Sequence, residues 1–162
     1  VTMLGSEQTG LGSVPTGGSA VVDDEPLFDV LESDEVGLLV GSTNNEFEPA
    51  LRGRYFVPIA MRWVITAIAG GAPAVGVGGN VGNNVAKTNV VANTANFMTV
   101  AQLGNAFAGG APWVGVTAMN TTTTTMVDGA NPFKFDVTTP ASGGGVTLLR
   151  ARLLIYGAWV RL

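Results

Sequence analysis

Asp128 and Asp136 are the only acidic side chains after residue 50, and two opposed carboxylates are what glycoside hydrolysis requires. Their settings argue for structure instead. Asp128 opens the turn Asp128-Gly129-Ala130-Asn131-Pro132, where Asp is favoured because its side chain bonds nearby backbone. Asp136 alternates outward with Lys134 along Phe133-Lys134-Phe135-Asp136-Val137-Thr138. Asp23, Asp24 and Glu25 bring three carboxylates together, without the ligand spacing of a calcium loop. Gly79-Asn80-Val81-Gly82-Asn83-Asn84 has a phosphate loop's glycine content, but no Gly-Lys-Ser/Thr ending follows and no acidic ribose ligand lies about 20 residues on. The chain holds no cysteine and no histidine, which removes thiolate chemistry, disulfides, the commonest general base and the commonest transition-metal ligand. These residues imply no enzyme, no cofactor, no metal and no small-molecule substrate.

The charge pattern points to contacts between chains. Charged residues are 12% of the 162, about half the usual soluble share, so a lone subunit is poorly protected against association and an oligomer is expected. The first fifty residues carry −10 and the remainder +6. That division fits either a solvated acidic region or an acidic arm lying along basic surface of its own or a neighbouring subunit. Arg52, Arg54 and Arg62 are too few to form a nucleic-acid stripe. No charge-free apolar run is long enough for a membrane helix, and Val1-Thr2-Met3-Leu4-Gly5 lacks the basic-then-apolar order of a secretory leader.

The elements follow from apolar periodicity. Arg54 to Ala69 and Val146 to Leu162 read as long central strands, rich in β-branched and aromatic residues. Strict alternation puts Tyr55, Val57, Ile59, Met61, Trp63, Ile65 and Ala67 on one face of the first. In the second, Leu149, Ala151, Leu153, Ile155, Gly157 and Trp159 share one face, and Arg150, Arg152, Leu154 and Tyr156 the other. Further strands are expected over 36–40, 74–78, 86–92, 121–127 and 133–138, with turns at 41–45 and 79–84. Residues 94–103 form the one helical segment, capped by Thr94 or Asn96 and stopped by Gly104. The stretch 67–77 recurs as 106–116 with nine of eleven positions identical, and reads as one strand-turn-strand element used twice. Seven to nine strands with one minor helix make an all-β antiparallel sandwich over 51–162, preceded by an N-terminal arm and docking segment over 1–50.

Phe56-Val57-Pro58-Ile59 entering a long strand, Val75-Gly76-Val77-Gly78-Gly79-Asn80, and Phe133 to Pro140 followed by a Leu/Ile-rich strand closing on Gly157 carry a resemblance. Over roughly residues 50–162 the chain resembles the jelly-roll head decoration, or cement, proteins of tailed bacteriophages. The resemblance implies a homotrimer on the outer surface of a virion capsid, with residues 1–50 as an arm reaching onto the major capsid protein. The same fold class also serves phage tail or fibre modules that recognise host glycan, which stands as the alternative. On the first reading, Asp23, Asp24, Glu25 and Phe28 of the docking segment, Phe56, Tyr156 and the pair Arg150 and Arg152 lie at subunit or partner contacts. Trp113 and Trp159 fit a core, a subunit interface or, on the second reading, a sugar platform.

Overall fold

The two stretches expected as long central strands pair with each other, and the other described strands are arranged around that pair. The computed structural model describes residues 27–48, 53–83, 87, 90, 97–117 and 126–162. The strand expected over 86–92 and the threonine run 121–125 lie largely or wholly outside these, as do residues 1–26. β4 (Tyr55–Gly70) runs antiparallel to β9 (Val146–Val160), from Tyr55 opposite Val160 to Gly70 opposite Val146. β1 (Leu27–Ser33) lies on the far side of β9, and β6 (Trp113–Thr117) on the far side of β4. β3 (Ser42–Glu48), β8 (Lys134–Thr139) and β5 (Gly78–Gly82) continue the sheet beyond β1. The order is β5-β8-β3-β1-β9-β4-β6, with the two-residue strands β2 (Val36–Gly37) on β9 and β7 (Val127–Asp128) on β4. This is an all-β domain: a curled seven-strand antiparallel half-barrel with one short helix.

Curling brings β8 over β4, and aromatic side chains fill the space between. Trp63 meets Phe97 and Phe135 edge-on at 4.9 and 5.8 Å, and Phe56 meets Phe133 at 5.2 Å. Edge-on ring pairs add to area burial because the positive rim of one ring faces the negative face of the next. The Trp63 indole N–H and the Thr117 hydroxyl both donate to the Phe97 carbonyl. Among the described residues no buried side-chain nitrogen or oxygen lacks a partner. Phe133, Phe135 and Val137 all point inward, as their alternation requires.

Strict alternation fails along β4 at two points. The register with β9 slips between Pro58 and Ala60 and again between Ile65 and Ala67, and a bulge residue moves everything beyond it to the opposite face. Phe56 is therefore inside together with Met61, Trp63 and Ile65, while Ile59, expected on their face, stands 61% exposed. Beyond the second slip Ile68 packs against the core in place of Ala67. β9 keeps its phase, and Leu149, Ala151, Leu153, Ile155, Gly157 and Trp159 are all buried.

Five further expectations are corrected. The helix is α1 (Val100–Gly109), capped by Thr99, whose side chain accepts from the Gln102 backbone while the Gln102 side chain accepts from Thr99 N–H. Gly104, expected as its stop, is inside it, and the C-cap is Gly110 with φ 70°. The stretch 79–84, expected as a turn, supplies most of β5. Gly79 is there because a Cβ would lie 2.2 Å from the Asp136 carbonyl oxygen and against the Phe97 ring. The turn expected at 41–45 belongs to β3, where Asn44 takes φ 55° at a register slip between Ser42 and Asn45. The repeated stretch has two structures: Ala67 to Gly70 ends a strand, and Ala106 to Gly109 ends the helix. Residues 27–48, assigned to an arm, contribute β1, β2 and β3 to the sheet.

Candidate interaction surface

Because β9 keeps a strict alternation and β4 is re-phased at Ile59, the convex face of β1, β9, β4 and β6 collects side chains in rows. Register sets them: Phe28 beside Ala158 and Val57; Val30 beside Tyr156 and Ala60; Glu32, Leu154, Arg62 and Val116; then Arg152, Val64 and Val114. Phe28 is 78% exposed, and Val30, Ile59, Val114 and Val116 are each more than two fifths exposed. Isolated exposed apolar residues are ordinary; a contiguous set on one sheet face marks a contact surface.

At one end this face is hollow. Ala158, Gly157 and Ala60 are too small to fill the space between Phe28 and Val30 on β1 and Ile59 on β4. A cleft of about 440 Å³ results, with Tyr156 and Gly157 beneath it and Asp29 at its rim. Asp29 is committed inward, its Oδ2 accepting from the Trp159 indole N–H at 3.0 Å.

The charges on the face are mostly cancelled within the chain. Arg152 meets Glu32 at 2.6 Å and Arg150 meets Glu35 at 3.2 Å. The Thr66 hydroxyl donating to Glu35, with Arg150 and Arg152 alongside, holds that carboxyl below its ordinary 4.5 against a smaller opposing effect of burial. Glu32 raises Arg152 above its ordinary value through their hydrogen bond. Arg62 lies over the Tyr156 ring, 5.9 Å from its centroid, a cation–π contact. The result is a nearly neutral, largely apolar surface.

No family model, curated protein or solved structure matches the chain. Its own geometry therefore carries the functional reading.

The residues singled out from sequence divide into three groups. Phe28 and Tyr156 meet at the cleft, and Arg150 and Arg152 share the face. These two arginines, expected to await a neighbour's carboxylates, already pair with Glu35 and Glu32, which β1 and the β1–β2 turn bring alongside β9. Phe56, assigned to subunit contacts, and Trp159, for which core, subunit interface and sugar platform stood open, are both 0% exposed and touch at 4.9 Å in the core. Trp113 is half-buried on the inner side of β6, its ring lying over Gly115. Asp23, Asp24 and Glu25 lie outside the described residues.

Val30, Ile59, Val114 and Val116 belong to the surface and were not singled out. The Phe28, Val30 alternation was a readable signal for the first; only the bulge, invisible in the residue order, places Ile59. Asp128 and Asp136 have structural partners. Asp128 accepts from the Ala130 N–H at 2.9 Å, while Asp136 accepts from Asn44 N–H at 2.8 Å and pairs with Lys87 at 3.1 Å. Among the described residues no three His, Cys, Asp or Glu side chains cluster as metal ligands, and no helix is long and apolar enough to cross a membrane.

Proposed function

We propose that this chain is a non-enzymatic structural protein of a virion: a jelly-roll decoration subunit that assembles as a homotrimer on the outer capsid surface and holds neighbouring major capsid subunits together. The observation that carries the reading is the exposed apolar face of β1, β9, β4 and β6, whose charges are cancelled within the chain. Such a face gains by being covered, and gains little from a strongly charged partner. A contact of standard size removes about 1,600 Å² from solvent, and three subunits acting together hold a lattice far more tightly than one. The resemblance of residues 50–162 to cement proteins supports the same reading.

Light scattering on the purified chain tests assembly: a mass near three times 16.5 kDa is expected, and a stable monomer at micromolar concentration overturns the trimer. Val116→Glu, on the exposed face, is expected to shift the mass toward monomer without unfolding the chain. Immunogold labelling of intact particles made by the source tests location: label on the outer shell is expected, and label confined to tails overturns the capsid assignment.

A further inference from the structure

Three arginines stand on the outer face of β9 and β4, and their settings differ. Arg150 and Arg152 are neutralised within the chain by Glu35 and Glu32. Arg62, also exposed, pairs with no carboxylate among the described residues. Register sets its place. Arg62 lies opposite Leu154, and Ala60, two residues back on the same face, lies opposite Tyr156, which lies opposite Val30 on β1. From there Arg62 reaches over the Tyr156 ring, 5.9 Å from its centroid, and Tyr156 floors the hollow bounded by Phe28, Val30 and Ile59. An apolar hollow and an uncompensated cation therefore adjoin on one face.

We propose that this corner is a socket for a segment of the neighbouring coat chain, which seats one aliphatic or aromatic side chain in the hollow and sets a nearby Asp or Glu carboxylate on Arg62. The inference rests on the reading of the face as a coat contact and names the chemistry of what it contacts. A guanidinium stacked by its face on an aromatic ring keeps its in-plane N–H donors for a carboxylate, which it holds in a two-point contact. Stacking also holds the Arg62 side chain in place before the partner arrives, so less freedom is lost on binding. The cleft of about 440 Å³ has the size of sites that hold a small molecule, and one large side chain with part of its backbone fits the same space. Because Glu32 and Glu35 are already taken by Arg152 and Arg150, the carboxylate for Arg62 comes from the partner. One is enough. A partner carrying several would meet Glu32, which lies in the same row as Arg62. Val64, Leu154, Val114 and Val116 at the other end of the face stay open to a second copy of this chain.

The test titrates the full chain with phenylpropionate, phenylpropanol and phenylpropylammonium at matched ionic strength, following the Val30 and Ile59 methyl and Arg62 side-chain resonances by NMR. Phenylpropionate is expected to bind with a millimolar Kd, at least about fivefold more tightly than the alcohol, with the ammonium weakest. Arg62→Gln, at an exposed position, is expected to bring acid and alcohol to one affinity while the alcohol still binds, which shows the hollow intact. Ala60→Leu fills the hollow and is expected to weaken all three at least about fivefold. Equal affinities in the parent chain, a preference for the acid that survives Arg62→Gln, or no effect of Ala60→Leu overturns the socket. Micromolar binding of phenylpropionate overturns the polypeptide source in favour of a free small ligand, and a lower assembly mass with Arg62→Gln overturns it in favour of a second copy. Immunogold labelling and light scattering on the parent chain report the capsid and trimer readings separately, so failure of either is not mistaken for failure of the socket.

Discussion

On one side of the β1–β3 seam, β4 and β9 pair over almost their whole lengths, and their inner faces carry Phe56, Met61, Trp63, Leu149, Leu153 and Ile155. On the other side β5 is Gly78-Gly79-Asn80-Val81-Gly82 and β3 is Ser-Thr-Asn-Asn-Glu-Phe-Glu, strands with few side chains able to bury themselves. The polar half is held by particular contacts: Phe47 and Phe135 at 5.5 Å, Trp63 reaching across to Phe135, and Lys87 closing on Asp136 with side-chain exposures of 7% and 14%. A patterned half tolerates the loss of any one peripheral contact because its neighbours repeat the same information. A half built from a few contacts does not.

The largest break comes from the residue that joins the two halves. Trp63→Ala removes the ring between Phe97 and Phe135 together with the indole donor to the Phe97 carbonyl. A loss of about 3–5 kcal/mol in urea unfolding is expected. Amide exchange should open β3, β5 and β8 before β4 and β9; equal opening of both halves would erase the contrast drawn above.

Next is the ion pair of the polar half. Lys87→Met strands Asp136 in a largely buried site and is expected to cost about 3 kcal/mol. Lys134→Met breaks the pair with Glu46 at 2.8 Å, whose side chains are 31% and 47% exposed, and is expected to cost no more than about 1 kcal/mol. Equal costs in the same unfolding assay would show that burial is not what makes Lys87 matter.

In the patterned half the sensitive point is a close backbone approach. A Cβ at Gly157 would lie 2.4 Å from Phe56 Cζ and 2.5 Å from the Val57 carbonyl oxygen, whereas one at Gly37 meets nothing within 4 Å. Gly157→Ala is expected to lose about 1–3 kcal/mol, and Gly37→Ala to stay within about 0.5 kcal/mol of the parent.

The smallest effect belongs to the outer face. Glu35 has its pKa lowered in the fold, chiefly by the Thr66 hydroxyl. Its contribution is therefore complete above the unfolded value and is lost as pH falls below 4.5 through the lower folded one. Glu35→Gln should flatten that part of the melting temperature profile between about pH 6 and about pH 3, by slightly lowering the neutral end and leaving the acid end little changed. An unaltered acid limb would remove Glu35 from the account.

What could be read in advance follows the same division. β9 was legible to its individual faces because Leu149, Ala151, Leu153 and Ile155 alternate without interruption. β8 was legible from Phe133, Phe135 and Val137. β5 was not, because its glycines signal a turn when only local conformation is considered. Gly79 admits Asp136 backbone and Phe97 from elsewhere in the chain. Two residues of the interaction surface, Phe28 and Tyr156, were visible on strand faces; Ile59 depended on a bulge. The Thr99 and Gln102 capping box was present in the residue order, but Gly104 was read as a helix stop.

The amino-acid order by itself determined that this chain folds as mostly β structure, that its long strands lie within about one or two residues of 54–69 and 146–162, and that histidine and cysteine chemistry is absent. Only the tertiary structure decided strand phase, and it decided the fate of the repeated stretch. Val77 pairs with Met98 and is 1% exposed, while Val116, its counterpart, stands outward on β6 at 60%. Nearly identical local sequence reached opposite environments because hydrogen-bond partners distant in the chain, and not local preference, set which face of a short extended segment is covered.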